Sequence, residues 1–266
     1  MFVGTSAPEI PLYGGDVTEG VVRVGDTVRR PMRASSPAVH ALLRHLDAAG
    51  FDRVPRVYGV DERGREILSY VPGEAATRPL QAHVVSDEAL VQLAVLVRRF
   101  HDAVEGFVPP RGAVWVDGAL DDAPPELVGH CDITPENVIF RDQRPWALID
   151  FDMARPTTRL FDAATVLRHW APIADPVDRD PLQRRLNAGP RLRLFCDAYG
   201  FSARDRRRLL EVSRLRFGRS YVAMRARAER DGGGWARMWR EGAGERIRRA
   251  GAWLDANWDE LHAHLV

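Results

Sequence analysis

The chain has 266 residues, 45% of them hydrophobic, and a formal net charge of +1. This composition predicts a folded globular protein, and the near-zero charge gives no reason to expect a nucleic-acid or membrane partner. All 38 basic residues are arginine, so any cationic role at a phosphate must fall to arginine. Residues 1–11 lack a signal-peptide pattern, and Cys131 and Cys196 match no metal or redox spacing. We therefore expect a cytoplasmic protein with free thiols.

The first part of the chain is predicted to form an antiparallel sheet with one helix packed on it. The predicted segments are a hairpin over 21–31 around Gly25-Asp26, a helix opened by Ser36-Pro37 and stopped by Gly50, and strands over 54–60 and 66–71. Pro72-Gly73 closes this unit. The predicted division of the chain is therefore 1–73 and 74–266.

The second part is predicted to be mostly helical. Ser86-Asp87-Glu88 opens a helix with acidic residues in its first turn, and residues 109–125 form a loop rich in proline and glycine. After residue 152 the pattern is helical and rich in arginine, with a break at residues 232–234. The predicted fold class is α+β, with a small antiparallel sheet lobe followed by a larger helical lobe.

One segment carries a pattern of polar residues between short apolar strands. It reads His130-Cys131-Asp132-Ile133-Thr134-Pro135-Glu136-Asn137, and Ile149-Asp150-Phe151-Asp152 follows twelve residues after Asn137. Two short strands joined by a polar turn would bring Asp132, Asn137 and Asp150 to one edge, with Asp152 as a weaker fourth candidate. Hard oxygen ligands of this kind suit Mg²⁺.

Such a set can carry out phosphoryl transfer, in which metal ions neutralise phosphate charge and a separate carboxylate accepts the proton of the attacking hydroxyl. Two other interpretations stay open. The residues could be ordinary turn formers at strand ends. A hydrolase that uses Asp132 and His130 is also conceivable, although no Gly-x-Ser-x-Gly nucleophile elbow occurs.

The segment from His130 to Asn137 resembles the catalytic loop of the aminoglycoside phosphotransferase and choline kinase group, which are relatives of protein kinases. The resemblance implies a two-lobed kinase-like fold, with Asp132 as the catalytic base and with Asn137 and Asp150 as Mg²⁺ ligands. It leaves Asp152 either as a contact to a second metal or as a cap of the turn. His130 would brace the loop through the backbone.

The resemblance extends to other parts of the chain. It implies a structural role for Asp162 and a nucleotide-binding lobe over 1–73, with the backbone of Ser69, Tyr70 and Val71 bonded to the base of ATP or GTP. The remainder, 74–266, would be the catalytic and substrate-binding lobe. Glycines at 14, 15 and 20 could form a loop over the phosphates, and a plain loop is an equal alternative.

The chain departs from the family in its phosphate-binding cation. The family uses a strand lysine held by a helix glutamate, whereas this chain has arginines at the matching strand and no glutamate over 37–49. Arg30 shares a strand face with Val28 and is the first candidate for the phosphate contact, and Arg29 is the second. Arg30 is either held by an acidic residue elsewhere or needs no partner. A catalytically weak or inactive kinase-like protein that binds nucleotide or acts as an immunity protein therefore remains the alternative function.

The predicted acceptor is a hydroxylated small molecule, either a metabolite or an antibiotic. The family's acceptor site lies between the catalytic loop and the C-terminal helices. Residues 190–224 are dominated by arginine, with only Asp197, Asp205 and Glu211 as acids. The acidic lining expected for a polycationic aminoglycoside is therefore not evident.

Overall fold

The structure is a computed structural model that describes residues 8–12 and 20–266. Its N-terminal part contains a five-stranded antiparallel sheet in the order β1-β2-β3-β5-β4. The strands are β1 (Glu9–Pro11), β2 (Val22–Val24), β3 (Thr27–Pro31), β4 (Val57–Val60) and β5 (Arg65–Ser69). The predicted hairpin is confirmed as β2 and β3, and its turn residue Gly25 takes the left-handed φ of 58° that favours glycine.

The single helix of this part, α1 (Ser36–Ala48), lies between β3 and β4 in the chain. Its apolar stripe buries Leu42, Leu43 and Leu46, as the helical spacing of these residues predicts. Gly50 follows the helix with a φ of 74°, a conformation that ends helices readily. The order of strands, helix and strands therefore agrees with the prediction, although β4 begins at Val57 rather than at residue 54.

Two small antiparallel sheets hold the polar segment. One has the order β6-β8-β9 and the other pairs β7 with β10. Their strands are β6 (Glu74–Ala75), β7 (Leu127–Gly129), β8 (Val138–Arg141), β9 (Arg144–Leu148) and β10 (Arg155–Thr157). The loop over 130–137 therefore connects β7 to β8, and residues 149–154 connect β9 to β10.

Helices make up most of the remaining chain. They are α2 (Asp87–Ala103), α3 (Arg159–Trp170), α4 (Ala188–Tyr199), α5 (Ala203–Asp231), α6 (Gly233–Arg240), α7 (Ala243–Ala256) and α8 (Trp258–Ala263). Ser86 caps α2 by accepting a hydrogen bond from the backbone N–H of Ala89. The predicted break at 232–234 separates α5 from α6. Among the described residues, no helix has an apolar stretch long enough to cross a bilayer.

A row of aromatic rings connects the helical core to the polar loops. Phe51 lies 6.2 Å from Phe100, and Phe100 lies 5.7 Å from Phe151. Phe151 packs in turn on the His130 ring at 4.5 Å. All of these side chains are buried, so the loops rest on a close-packed floor that limits their movement.

Candidate active site

The loops that follow β7 and β9 lie side by side at the floor of a cleft of about 650 Å³. The β8–β9 pairing sets Val138 opposite Leu148, and the backbone N–H of Ile149 donates to the Asn137 carbonyl at 2.9 Å. His130 Nε2 donates to the Ile149 carbonyl at 2.9 Å, which places the histidine between the two loops. The structure thus brings together the two polar segments that the sequence singles out.

Asp162 holds the start of the loop over 130–137. Its buried carboxylate accepts the backbone N–H groups of His130 at 3.0 Å and Cys131 at 2.7 Å, and it lies 3.0 Å from His101 Nε2. Burial alone would raise the pKa of Asp162, but the hydrogen bond and charge of His101 lower it below its ordinary value. Cys131 has a left-handed φ of 62°, which is uncommon for a residue with a side chain. These bonds hold that backbone conformation just before Asp132.

Asp132 lies in the cleft beside Asn137. The Asn137 amide donates to Asp132 Oδ2 at 3.1 Å and to the Asp132 carbonyl at 2.9 Å. Burial raises the pKa of Asp132 to about 6, with the charge of Asp150 adding to the shift and that of His130 opposing it. A carboxylate of this kind holds a proton more readily than an exposed one, as a general base requires.

Phe151 separates Asp150 from Asp152 and positions both. Its ring is buried against His130, which leaves the two flanking acids at the cleft. Asp150 Oδ1 accepts from Arg30 Nη1 at 3.1 Å, and Asp152 Oδ1 accepts from Arg30 Nη2. The second oxygen of Asp152 lies 3.3 Å from Arg33 Nε. Both oxygens of Asp152 therefore face guanidinium groups.

Arg30 is held by Glu66 of the sheet, and α1 supplies no glutamate to it. Arg30 Nε donates to Glu66 Oε1 at 2.5 Å, and Glu66 Oε2 lies 2.5 Å from His40 Nε2. Arg30 and Glu66 are direct cross-strand partners in the β3–β5 register. Burial alone would lower the pKa of Arg30, but the charges of Asp152, Asp150 and Glu66 outweigh it and raise this pKa above its ordinary value.

We expect Glu66→Gln to lower the free energy of unfolding by about 1–3 kcal/mol, because it weakens a buried charged hydrogen bond. Burial alone would raise the pKa of Glu66, but His40 and Arg30 hold it below its ordinary value. The wild-type advantage should therefore be complete above about pH 5 and disappear as the pH falls through the lowered pKa. Urea denaturation at several pH values measures this difference.

Glu62→Gln, in the exposed turn before β5, is the matched control for this experiment. It should change the free energy of unfolding by less than about 0.5 kcal/mol at every pH. Equal stability of Glu66→Gln and Glu62→Gln would contradict the inference that Glu66 holds Arg30.

The structure does not bring Arg29 to the carboxylates. Arg29 Nη1 donates to Thr27 Oγ1 at 2.8 Å, and Arg29 Nε lies 3.8 Å from Asp61, so both contacts are away from Asp150. Side chains alternate along a strand, which puts Arg29 and Arg30 on opposite faces. Of the two arginines considered from the sequence, Arg30 is the one at the site.

The predicted base-binding segment follows β5. The Ser69 N–H donates to the Arg56 carbonyl and the Tyr70 N–H donates to the Asp26 carbonyl, both at 2.8 Å. Within the described part of the chain, the Val71 backbone makes no hydrogen bond. Val71 is thus a residue of this segment whose N–H and carbonyl are both open to a ligand. The predicted glycine loop falls mainly outside the described residues, because Gly14 and Gly15 lie there.

The donors at the cleft fit one Mg²⁺ site with few protein ligands. Asn137 Oδ1 and Asp150 Oδ2 make no hydrogen bond to the described residues, and both are hard oxygen donors. Over 8–12 and 20–266 there is no group of three or more His, Cys, Asp or Glu side chains that could hold a metal. Magnesium in phosphate sites commonly uses one or two protein ligands together with water and phosphate oxygens, so this set suits it.

Comparison with known proteins places these features in a family. The model of the phosphotransferase enzyme family matches residues 14–113 and 111–195. The trifolitoxin immunity protein of Rhizobium leguminosarum bv. trifolii is 36% identical over 208 residues, which are 74% of this chain and 76% of that protein.

Several solved structures share the fold. A choline/ethanolamine kinase family protein from Mesorhizobium loti is 17% identical, with a TM-score of 0.64 over 99% of this chain and 92% of that one. The GDP complex of aminoglycoside 2'-phosphotransferase-IIIa is also 17% identical, with a TM-score of 0.58 over 94% of each chain. An ethanolamine kinase from Plasmodium vivax gives a TM-score of 0.62 at 12% identity, over 97% of this chain and 83% of that one. The predicted fold class and family resemblance are confirmed.

Proposed function

Because this chain belongs to the phosphotransferase enzyme family, we propose that it moves the terminal phosphate of ATP or GTP to a hydroxyl of a small molecule, with Mg²⁺. The observation that carries the proposal is the contact of Asp132 with Asn137 in a cleft that Asp150 also lines. A general base and two oxygen donors for a metal then share one pocket. Such a reaction draws on cellular nucleoside triphosphates, so we place the protein in the cytoplasm.

In the proposed reaction, Asp132 accepts the proton of the acceptor hydroxyl. The acceptor oxygen forms a new bond to the terminal phosphorus, and the bond between that phosphorus and the bridging oxygen of the nucleotide breaks. The products are a phosphorylated acceptor and a nucleoside diphosphate. The hydrogen bonds of Asn137 to both the side chain and the backbone of Asp132 would fix the orientation of the base.

The other residues divide into metal, phosphate and base contacts. Asn137 and Asp150 would hold Mg²⁺, which neutralises phosphate charge when it is bound. Arg30 would take the place of the family lysine at the phosphates, and both oxygens of Asp152 position Arg30 and Arg33. The backbone of Val71 would receive the nucleotide base. This assignment makes 1–73 the nucleotide-binding lobe and 74–266 the catalytic and acceptor-binding lobe.

The immunity protein among the relatives suggests a biological role for the reaction. At 36% identity, self-protection by chemical modification of a hydroxylated toxin or antibiotic is one proposed use of the activity. Protection without transfer is the second candidate function. It is favoured by one observation: the Arg30 guanidinium already lies between Asp150 and Asp152, where a divalent cation would need carboxylate oxygens.

A nucleotide-consumption screen separates the two candidates. Purified protein is incubated with ATP or GTP, Mg²⁺ and a library of hydroxylated metabolites and antibiotics, and diphosphate release is measured with and without a chelator. The transfer proposal predicts at least one acceptor that stimulates chelator-sensitive release and gains the mass of a phosphate. If wild type and Asp132→Asn release diphosphate equally with every acceptor, the transfer proposal fails and binding without transfer is favoured.

A further inference from the structure

The part of the cleft beyond the catalytic loop is lined by guanidinium groups. The six arginines on its wall are Arg155, Arg168, Arg179, Arg216, Arg227 and Arg246. They come from β10, α3, α5 and α7 and from the segment between α3 and α4. Residues that are far apart in the chain therefore supply positive charge to one cavity.

Within residues 8–12 and 20–266, none of these six arginines has a carboxylate oxygen within 4.0 Å. Five of the six acids that line the same cleft are paired with arginines outside this set of six. Asp117 pairs with Arg230, and Asp178 pairs with Arg249. Glu136, Asp150 and Asp152 are also paired with arginines. Among the described residues that line the cleft, Asp132 is therefore the one acid without an ion pair. The cleft thus has an uncompensated excess of positive charge.

Several of these guanidinium groups are buried and only partly hydrogen-bonded. Arg155 is 2% exposed and donates to the carbonyls of Ala119 and Met153, which leaves its Nη2 without a partner. Arg227 is 4% exposed, and its Nε also has none. Both nitrogens are closed to the cleft, so an anion bound there would be attracted by the charge of these two guanidinium groups without accepting a hydrogen bond from these atoms.

Arg168 and Arg216 form the centre of this wall. Arg216 donates to the Cys131 carbonyl at 3.1 Å, so it lies against the catalytic loop. Arg168 makes no hydrogen bond or ion pair in the described chain, and its guanidinium lies 5.5 Å from the Phe217 ring. Burial lowers the pKa of both arginines to about 10, with the charge of Arg216 adding to the shift of Arg168 and that of Arg155 adding to the shift of Arg216. Both still carry a positive charge at neutral pH.

We infer that the acceptor of this enzyme carries a negatively charged group, a carboxylate or a phosphate ester, in addition to the hydroxyl that receives the phosphate. The hydroxyl of the acceptor rests on the proposed function. The anion site is inferred separately, from the six arginines that have no ion pair. Arg216, which contacts the catalytic loop, would hold that anionic group close to Asp132, and Arg168 would add a second positive charge in the same part of the cleft. Trp235, Met238 and Ile247 add apolar surface to the same cleft, which suits an acceptor with an apolar part.

The same charges disfavour a cationic acceptor. An ammonium group in this part of the cleft would meet several guanidinium groups at low dielectric, where like charges repel strongly. Positive charge of this kind therefore provides specificity against amines as well as affinity for acids.

The test compares binding of matched probes without nucleotide. One set contains N-acetylated serine, threonine and tyrosine as free carboxylates and as primary amides. The other contains glucose 6-phosphate, glucose and glucosamine. Thermal shift and calorimetry at low salt measure each probe on wild type, on Arg168→Gln and on Arg208→Gln, an exposed arginine of α5 that serves as the matched control. The carboxylate and phosphate arms distinguish the two kinds of anion.

The expected result is that at least one anionic probe binds tenfold or more tightly than its neutral partner, and that Arg168→Gln loses this preference while Arg208→Gln keeps it. Ligand-free Arg168→Gln should melt at the same temperature as wild type or higher, because an unpaired charge is removed; a merely structural arginine would give a lower melting temperature. Equal binding of neutral or amine probes, no effect of Arg168→Gln, or no binding of any anion at millimolar concentration would overturn the inference. None of these measurements requires turnover, so failure of the transfer proposal would be seen separately.

Discussion

Asp132→Asn is expected to lower phosphoryl transfer by about 10²–10⁴-fold, the usual contribution of a positioned general base. Nucleotide affinity should stay within about twofold of wild type, since no nucleotide contact is assigned to Asp132 and the substitution keeps its shape. An asparagine can still accept the hydrogen bond from Asn137, so the loop should keep its conformation. The loss should therefore appear in kcat and leave the nucleotide KM nearly unchanged.

The same substitution is expected to stabilise the protein at neutral pH. The pKa of Asp132 is raised to about 6, whereas an unfolded aspartate has a pKa near 3.9. A carboxyl whose pKa is raised on folding favours the folded state when it is protonated, and its ionisation destabilises the fold as the pH rises from about 4 to about 6. Removing the charge should gain about 1–3 kcal/mol at pH 7, with the lower end expected because the cleft admits water. Below about pH 4 the gain should vanish.

Thermal and urea unfolding between pH 4 and pH 8, in the presence of a chelator and without nucleotide, measure this gain. Asp142→Asn, in the exposed turn between β8 and β9, is the control with the same chemical change. It should retain activity and show no stability change that follows this pH profile. Asp132→Asn that is inactive but less stable than wild type at pH 7 would point to a loop-bracing carboxylate and contradict its role as a buried base.

The local parts of this structure could be predicted from the sequence because their signals are local. The Gly25-Asp26 turn, the Ser86 cap and the break near Gly232 each depend on a few adjacent residues. The loops after β7 and β9 were also predictable as neighbours. The apolar strands β8 and β9 are joined by a short polar turn, so they pair antiparallel. This pairing places the loop before β8 beside the loop after β9.

The partner of Arg30 could not be found in the same way. Glu66 reaches it through the β3–β5 pairing, and 35 residues including α1 and β4 separate the two in the chain. Register between strands that are not consecutive depends on tertiary packing, which one sequence does not reveal. One signal was present: Glu66 and Leu68 alternate on the buried face of β5, and a charged residue on a buried face requires a partner.

The positive charge on the proposed acceptor side of the cleft also could not be found without the structure. Composition showed an excess of arginine after residue 190, but many of those arginines are exposed and paired. Arg214, for example, pairs with Asp255, whereas Arg216 on the same helix turns into the cleft. Only the three-dimensional arrangement separates solvated arginines from those that line a cavity. From the sequence, we expected only that the acidic lining required for an aminoglycoside would be missing. The structure adds that the lining is positively charged, which predicts an anionic acceptor.

Arg30→Ala should destabilise the protein by about 3–5 kcal/mol, because it removes one member of a buried charged network and leaves the others uncompensated. Arg30 is 9% exposed and bonds to Glu66, Asp150 and Asp152. Nucleotide affinity should also fall by tenfold or more, equivalent to about 1.4 kcal/mol, if Arg30 contacts the phosphates. Arg30→Lys keeps the positive charge but not the three directed donors. Its stability and its nucleotide affinity should therefore lie between those of Arg30→Ala and wild type.

Arg29→Ala is the control on the same strand, because its side chain lies on the opposite face and meets Asp61 at 3.8 Å. Its effect on the free energy of unfolding should stay below about 1 kcal/mol, because its ion pair with Asp61 is long and still partly accessible to water. Equal losses of stability and nucleotide affinity in Arg29→Ala and Arg30→Ala would mean that the buried network around Arg30 contributes nothing specific to either property. Chemical denaturation and nucleotide titration of both variants decide this.

Metal binding by the same variants distinguishes the two candidate functions without any measurement of turnover. In wild type, a divalent cation without nucleotide can bind the free Oδ2 of Asp150, but the Arg30 guanidinium bonded to Oδ1 of the same carboxylate repels it. Mg²⁺ or Mn²⁺ alone should therefore raise the melting temperature of Arg30→Ala more than that of wild type. In wild type, nucleotide and metal together should raise it more than the sum of each alone, because phosphates give Arg30 another partner. If nucleotide raises the melting temperature of wild type equally with and without the metal, Arg30 keeps both carboxylates and binding without transfer becomes the better description of this cleft.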